Sequence, residues 1–356
     1  MCKILVAMSG GVDSSVAALL LKRKGYKVSG AYMKNWINEE NILGDCPWQQ
    51  DIEDARAVAT QIGIDFHVVN FMKEYKMRVV SYLIEGYRGG STPNPDVICN
   101  REMKFGLFLN YAIKNGFSAI GTGHYCRIVR NKMGKYDLLE GVDKNKDQSY
   151  FLSMLKQTQL RHAYFPIGHL NKNKVREIAN KEKLPTASKK DSQGICFIGK
   201  IEINDFLKNY IPDNIGDIVN SDHKIIGQHL GLHRYTLGQR KGIGLPSNQD
   251  HKNYVVIDKD IENNRLIVSF EEPGTVGLFS KKKDIHSLSF CNEPLDKRLR
   301  CLAKPRYRDP SQEIIFEPKG NNEAQVLFKK TQRALASGQV VALYHGEKLL
   351  GGGIYS

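Results

Sequence analysis

Apolar positions in the first two hundred residues recur in two alternating rhythms. The run from Lys3 to Met8 is almost wholly apolar, and Val12, Val16, Leu19 and Leu20 then fall at helical spacing until Gly25. That is the pattern of a short buried strand turning into a helix. The rhythm continues with "KVSGAYM" as strand, "DIEDARAVATQIG" as a helix with Ile52, Ala55 and Ala59 on one face, and "DFHVVN" as strand. A long helix follows near residues 73–88, then the loop "GGSTPNPD", the helix "NREMKFGLFLNYAIKNG" and the strand "SAIGTGHY". A hairpin-like pair at about 126–140 precedes shorter helices, including "KNKVREIANKEK", which Pro185 ends. Such β–α alternation predicts an α/β doubly wound parallel sheet with ligands beyond the carboxyl ends of its strands.

The pattern changes near residue 201. "GDIVNSDHKIIGQHLGLHRYTLGQRKGIGL" and "NYVVIDKDIENNRLIVSF" are short alternating runs broken by glycine and asparagine, which predict a small mixed central domain. From about 276, "RLRCLAKPRYR", "QEIIFEP", "EAQVLFKK" and "QVVALYHGEKLLGGGIYS" read as strands of a small barrel. The expected division is therefore 1–200, 201–275 and 276–356, and 356 residues is ample chain for it. No internal repeat or low-complexity segment interrupts the chain.

Charge adds a second kind of information. The chain carries +14 in all, distributed as +11 over residues 1–200, −3 over 201–275 and +6 over 276–356. A basic–acidic–basic chain suits a polyanion gripped from both ends, as a folded RNA would be, although solvated surface lysine gives the same totals. No run of about eighteen apolar residues and no signal-like start is present, so a cytoplasmic protein with no membrane partner is expected. Because the first strand starts at Lys3, a mitochondrial transit peptide is not expected either. The seven cysteines, at positions 2, 46, 99, 126, 196, 291 and 301, form no C-x-x-C pair. That argues against a disulfide scaffold or a structural zinc site, and no metal-ligating set is expected from the protein.

Candidate chemistry starts with "AMSGGVDSS". A strand turning through Gly10-Gly11 into a helix aims free backbone N–H groups and the positive end of the helix dipole at one point. Ser9, Ser14 and Ser15 add hydroxyls, and Asp13 adds a carboxylate suited to magnesium. No G-x-x-x-x-G-K-[ST] string occurs, which excludes the lysine-dependent γ-phosphate loop. Two glycines alone equally describe an ordinary tight turn. The whole string S-G-G-V-D-S resembles the loop of enzymes that cleave ATP to AMP and pyrophosphate.

Two cysteines have suggestive settings. "NPDVICN" puts an exposed asparagine, aspartate and cysteine ahead of a helix, where a thiolate is stabilised, with Asp96 three residues before Cys99. "KKDSQGICFIGK" places Cys196 among Lys172, Lys189, Lys190 and Lys200, provided these lie close in space. Each thiol is also compatible with plain packing. Beside a pyrophosphate-releasing loop, the pair suggests sulfur transfer.

Seven strings in order, "MSGGVDSS", "NPDVICN", "GTGHY", "NKDQSYFL", "DSQGICFIG", "YTLGQRKGIG" and "LGGGI", together resemble the tRNA-specific 2-thiouridylases from residue 4 to the C-terminus. The resemblance implies ATP-dependent 2-thiolation of the wobble uridine in tRNAs for Lys, Glu and Gln. It places ATP, with magnesium, at Ala7, Met8, Ser9, Gly10, Gly11, Val12, Asp13 and Ser14, with Met33 and Gly123 lining the pocket. It brings Asn94, Pro95 and Asp96 to the target base and a persulfide, delivered by a sulfur donor, onto Cys196. Cys99 attacks that persulfide and ends in a disulfide with Cys196. His124, Lys146, Asp147, Gln148, Arg306, Tyr307 and Gln339 fall at tRNA-contacting positions. "KPRYR" independently alternates cations with an aromatic, which suits phosphate contact and stacking. A variant of the same activity places an iron–sulfur cluster on Asp96, Cys99 and Cys196. A small-molecule amidating synthetase or a non-catalytic RNA-binding protein with this fold would need neither thiol.

Overall fold

The computed structural model describes residues 2–36, 48–191, 202–246 and 252–356. Four strands, β1 (Lys3–Ala7), β2 (Lys27–Lys34), β3 (Asp65–Asn70) and β4 (Ala119–Gly121), open the chain. A hairpin of β5 (Cys126–Arg130) and β6 (Tyr136–Glu140) follows, and then β7 (Ala163–Tyr164). The first sheet has the order β3-β2-β1-β4-β7, with every pairing parallel. Ile4, Leu5 and Val6 of β1 are fully buried because helices cover both faces. The chain winds outward from β1 to β3 and then returns to the other side of β1. The crevice between the carboxyl ends of β1 and β4 is therefore the topological switch point of the sheet.

The helix α1 (Val12–Arg23) packs against one sheet face, with α2 (Trp48–Ile62) beside it. On the other face lie two long helical stretches, 72–88 and 95–114, each with a central wide-turn (π) segment. The second begins at Pro95, not near Asn100 as the sequence pattern suggests. Asn94 has extended backbone, and its side chain accepts from the Val97 N–H at 3.2 Å, so proline occupies the first helical position, where its missing N–H costs nothing.

The central part is a four-stranded sheet of β8 (Gly216–Val219), β9 (Ile225–His229), β10 (Tyr254–Asp260) and β11 (Arg265–Phe270), ordered β10-β11-β8-β9. The last part comprises β12 (Phe279–Phe290), β13 (Leu299–Lys304), β14 (Gln312–Gly320), β15 (Glu323–Arg333), β16 (Val340–His345) and β17 (Lys348–Tyr355). Its order β12-β15-β14-β13-β16-β17 closes through antiparallel β12–β17 pairing into a six-stranded barrel. Closure leaves this barrel no open edge over most of its circumference.

One edge segment remains, and it joins the parts. Residues 351–355 of β17 pair with β12, whereas Lys348 and Leu349 pair with Leu139 and Leu138 of β6. The 126–140 hairpin therefore extends the barrel sheet. One hydrophobic core accordingly contains Cys99 and Phe105 beneath the parallel sheet, Phe206 after it, and Tyr344 and Leu349 of the barrel. A nearly buried ion cluster pins the same junction. Lys304 Nζ donates to Glu140 Oε1 at 2.7 Å and to Asp147 Oδ2 at 2.8 Å. Breaking such a cluster from one side costs about 3–5 kcal/mol, because it strands the remaining charges.

Candidate active site

The turn Met8–Gly11 leaves β1 at the switch point. Met8 N–H donates to Ala31 O at 2.8 Å, which fixes the start of the turn to β2. Gly10 then adopts φ +72°, where a Cβ would also run into the backbone carbonyl of Asp51. Ser14 Oγ ties the loop together: it accepts from Ser9 N–H at 3.1 Å, lies 3.2 Å from Ser9 Oγ and donates to Gly11 O at 3.1 Å. Ser15 Oγ donates to the same carbonyl at 2.8 Å. The serines thus stiffen the turn, while the first amides of α1 face outward as an anion site. Gly123, two residues past β4, lets the second strand end approach this turn: a Cβ there would lie 2.7 Å from Ser14 N. Ala7 and Met33 are buried in one cluster beneath the site, and Val12 is buried in the cluster with α1.

Asp13 sits in the first turn of α1 and is the centre of a charge network. Lys172 Nζ donates to both of its oxygens, at 2.8 and 2.9 Å, and Tyr125 OH donates to Oδ1 at 2.7 Å. Burial, then the charge and hydrogen bond of Asp13, push the Tyr125 phenol far above its usual range, so it stays a protonated donor. Lys172 also reaches Asp191 Oδ1 at 2.6 Å, and Asp191 accepts from Lys146 at 2.8 Å and Arg176 at 2.9 Å. Burial works to raise the Asp191 carboxyl, but hydrogen bonds from Lys146 and Lys172 outweigh it and hold it at about 2.

The stretch Asn94–Cys99 is the first turn and a half of helix 95–114. Asp96 is half-buried and Cys99 is fully buried, with 0% exposure, among Val97, Ile98 and Met103. The sequence reading of an exposed cysteine is therefore corrected: in the helix, position 99 points inward under the sheet. Asn100 Nδ2 donates to Asp96 O at 2.9 Å, and the wide-turn segment begins at Cys99. Such widened turns recur at functional sites.

The positions marked for RNA contact divide into two sets. Lys146, Arg306 and Tyr307 are partly exposed, with Arg306 Nε donating to Asp309 at 2.9 Å and the Tyr307 ring centroid 4.2 Å from that of Phe151, tilted at 47°. The others are committed internally. Asp147 is 5% exposed and accepts from Gly141 N–H, Ser149 N–H, Ser149 Oγ and Lys304. Gln148 Oε1 accepts from Tyr125 N–H at 3.1 Å, and Gln339 Nε2 donates to Thr92 O at 2.6 Å. His124 is buried between Phe105 and Phe165, 2.7 Å from Thr122 Oγ1. Burial, then the charge of Lys104, hold its imidazole neutral. A cavity of about 240 Å³ touches one member of each set, Tyr307 and Asp147, and is lined also by Glu140, Lys304, Arg308 and Asp309.

Cys196, Lys200 and the rest of "SQGICFIGK" lie outside the described residues. The grouping of Cys196 with Lys172, Lys189, Lys190 and Lys200 therefore lies outside them too; on the described side Lys172 bonds Asp13, Lys189 bonds Asp51 at 2.7 Å and also Asp54, and Lys190 is exposed. Tyr125, Lys172 and Asp191 were absent from the residues assigned to the nucleotide loop. The tyrosine closing "GTGHY" was the one available signal, since it follows Gly123 by two positions. Among the described residues there is no group of three or more His, Cys, Asp or Glu able to hold a metal ion, and no helix is long and apolar enough to cross a membrane.

Comparison with known proteins covers the whole chain. A family described as the tRNA methyl transferase HUP domain matches residues 2–200, and the tRNA methyl transferase PRC-barrel domain matches 204–270. An aminomethyltransferase beta-barrel domain matches 280–355. A tRNA-specific 2-thiouridylase MnmA from Akkermansia muciniphila is 51% identical over 355 residues, covering 100% of this chain and 99% of the relative. One of the same name from Alkaliphilus oremlandii is 48% identical, covering 98% and 96%. A solved 4-thiouridine synthetase–RNA complex with bound ATP aligns at 17% identity and a TM-score of 0.39, over 58% of this chain and 50% of that one.

Proposed function

The chain belongs to the tRNA-specific 2-thiouridylase family, and from that premise we propose that it replaces the C2 oxygen of the wobble uridine in tRNAs for Lys, Glu and Gln with sulfur. ATP is the activating substrate, and the reaction takes place in the cytoplasm. The observation that carries this reading is the S-G-G-V-D-S turn at the switch point, pressed against Gly123 and directed by α1, in a chain whose full length matches the family.

The chemistry follows from what each group can do. The C2 oxygen of uridine is a poor leaving group. Its attack on the α-phosphorus forms a P–O bond and breaks the bond to pyrophosphate, which departs with the electron pair. The turn of residues 8–14 holds that pyrophosphate on backbone N–H groups. Magnesium fits the site through the hard carboxylate of Asp13, where it supplies charge neutralisation for the phosphates. Sulfur is held as a persulfide on Cys196, loaded by a protein or desulfurase donor. The Cys99 thiolate attacks Cys196 Sγ, forming the Cys99–Cys196 disulfide and breaking the bond from Sγ to the outer sulfur, which leaves with the electron pair as hydrosulfide, so the two thiols supply the two electrons. Hydrosulfide adds at C2, AMP leaves with the C–O electron pair, and a thiol reductant later reopens the disulfide. Asp96, one helical turn before Cys99, is placed to take the thiol proton. The base reaches this site only by leaving its stack, at about a few kcal/mol, and Asn94 and Pro95 receive it.

Lys146, Arg306 and Tyr307 contact the RNA directly, and His124, Asp147, Gln148 and Gln339 hold the surface that presents them. No cluster is invoked on Asp96, Cys99 and Cys196. The test is mass spectrometry of nucleosides from tRNA incubated with the protein, ATP and a persulfide donor: 2-thiouridine at the wobble position is the expected product, and its absence refutes the assignment. Binding of tRNA is also expected to weaken by on the order of 10- to 1000-fold between low salt and about 200 mM, because several phosphates are neutralised by the basic first and last parts of the chain. A salt-independent affinity, measured by filter binding, would remove the two-ended grip.

A further inference from the structure

The turn of residues 8–14 carries amides and hydroxyls but no cation, while its ligand is strongly anionic. The helix dipole offers roughly half a charge. The hydroxyls are already engaged: Ser14 and Ser15 donate to Gly11 O, and Thr186 Oγ1 donates to Ser15 Oγ at 3.0 Å. Something else must balance the phosphates.

We propose that Lys172 is the phosphate-binding cation of this loop, stored on Asp13 in the free protein and transferred to the β-phosphate when ATP binds. The inference rests on the nucleotide reading above and adds a residue to it. Three observations carry it. First, Lys172 is placed by packing: the ten-residue helix Lys172–Lys181 sends Val175 and Ala179 into the core shared with Val12, Val16 and Leu19, and Asn171 caps its start by accepting from Lys174 N–H at 2.8 Å. The first residue of that helix therefore faces the first turn of α1. Second, the ammonium is sequestered rather than solvated: Lys172 is 8% exposed, bonded to Asp13 and Asp191, with the Tyr125 ring 5.9 Å away. Third, the cations Lys146, Lys172 and Arg176 are matched by three carboxylates, Asp13, Asp191 and Asp143, the last accepting from the Lys172 N–H at 2.9 Å, so a lysine that leaves Asp13 is what can meet the phosphate charge beside this helix N-terminus.

The hand-over is short. Asp13 is the second residue of α1, so an anion on the amides at the start of that helix lies within about one turn of the Lys172 ammonium. Rotation about the end of a lysine side chain covers that span while Asp191 stays behind to anchor it. The transfer exchanges one charge-assisted contact for another and leaves the Asp13 carboxylate with Tyr125 as its remaining donor. No proton moves, and Lys172 remains an ammonium throughout.

The test is calorimetric titration of the full chain, without tRNA, using α,β-methylene ATP, inorganic pyrophosphate and AMP. Loss of one charge-assisted contact corresponds to about 10- to 100-fold in affinity. Lys172→Met is expected to lose that much for the ATP analogue and for pyrophosphate, while AMP binding stays within about twofold. Lys172→Arg should recover most of the loss. Lys172→Gln keeps a hydrogen bond to Asp13 without the charge and should show the same selective loss, which covers the case in which the methionine variant does not fold. Equal loss for AMP and for the phosphate-bearing ligands shows a merely structural role and overturns the proposal, as does unchanged pyrophosphate binding in both variants. If the unmodified protein binds neither the ATP analogue nor pyrophosphate, the nucleotide reading itself falls, and the assignment of Lys172 falls with it.

Discussion

Cys196→Ser is expected to abolish 2-thiouridine formation and to accept no persulfide, while Cys99→Ser is expected to accept the persulfide and stop there. Under the proposed relay the two outcomes differ because the thiols act in sequence: sulfur first resides on Cys196, and Cys99 is needed only to release it. The setting of Cys99 adds a second expectation. It is fully buried at the second turn of a capped helix, so it is a poor target for solution reagents in the free protein. Disulfide formation needs the two Cα atoms within roughly 7 Å and open access to the Cys99 sulfur. Under the proposed relay, opening is therefore expected in the tRNA-bound state, as in lids that assemble a site on binding. Alkylation of Cys99 by iodoacetamide should be slow without tRNA and faster with it. Nucleoside mass spectrometry and persulfide trapping read the two variants. Product from either serine variant, or a persulfide on Cys196→Ser, refutes the relay.

What the sequence revealed, and what it hid, follows from the range of the interactions. The β1–turn–α1 unit is legible because it is local: an apolar run, two glycines and a 3.6-residue period are all contained in twenty residues. The start of helix 95–114 was displaced because "NP" signals a turn, yet the same asparagine and proline make an N-cap and first helical residue when a helix follows. The burial of Cys99 is a tertiary fact and has no local signature. Pairing of β6 with β17 joins residues more than two hundred positions apart, and neither strand's alternation names its partner. The core that runs from Cys99 through Phe206 to Leu349 is hidden for the same reason. Lys172 shows the limit most clearly. Its sequence marks it only as one of several cations grouped with Cys196, and the contact with Asp13 comes from the packing of its helix on α1. The motif string marks the turn at the switch point, whereas the charge network around Asp13 emerges only in three dimensions.

Asp13→Ala is expected to reduce ATP-dependent AMP formation by about 100-fold or more, an effect of the size seen when a charged group facing a reacting phosphate is removed. Two losses combine. The carboxylate proposed for magnesium disappears, and the Lys172 ammonium loses one of its two carboxylate acceptors, remaining on Asp191 at 2.6 Å. Ser9→Ala should have a smaller effect, about tenfold, because the Ser9 hydroxyl contacts Ser14 Oγ at 3.2 Å while its backbone N–H still donates to the same oxygen. Affinity for tRNA should stay within about twofold in both variants, since the phosphate contacts come from other surfaces. Release of AMP from labelled ATP in the presence of tRNA measures the first quantity, and filter binding the second. If AMP forms at the unmodified rate in both variants, the turn of residues 8–14 does not hold the nucleotide. A tRNA affinity that falls in parallel with AMP formation, in protein of unchanged melting temperature, would instead place this turn against the RNA.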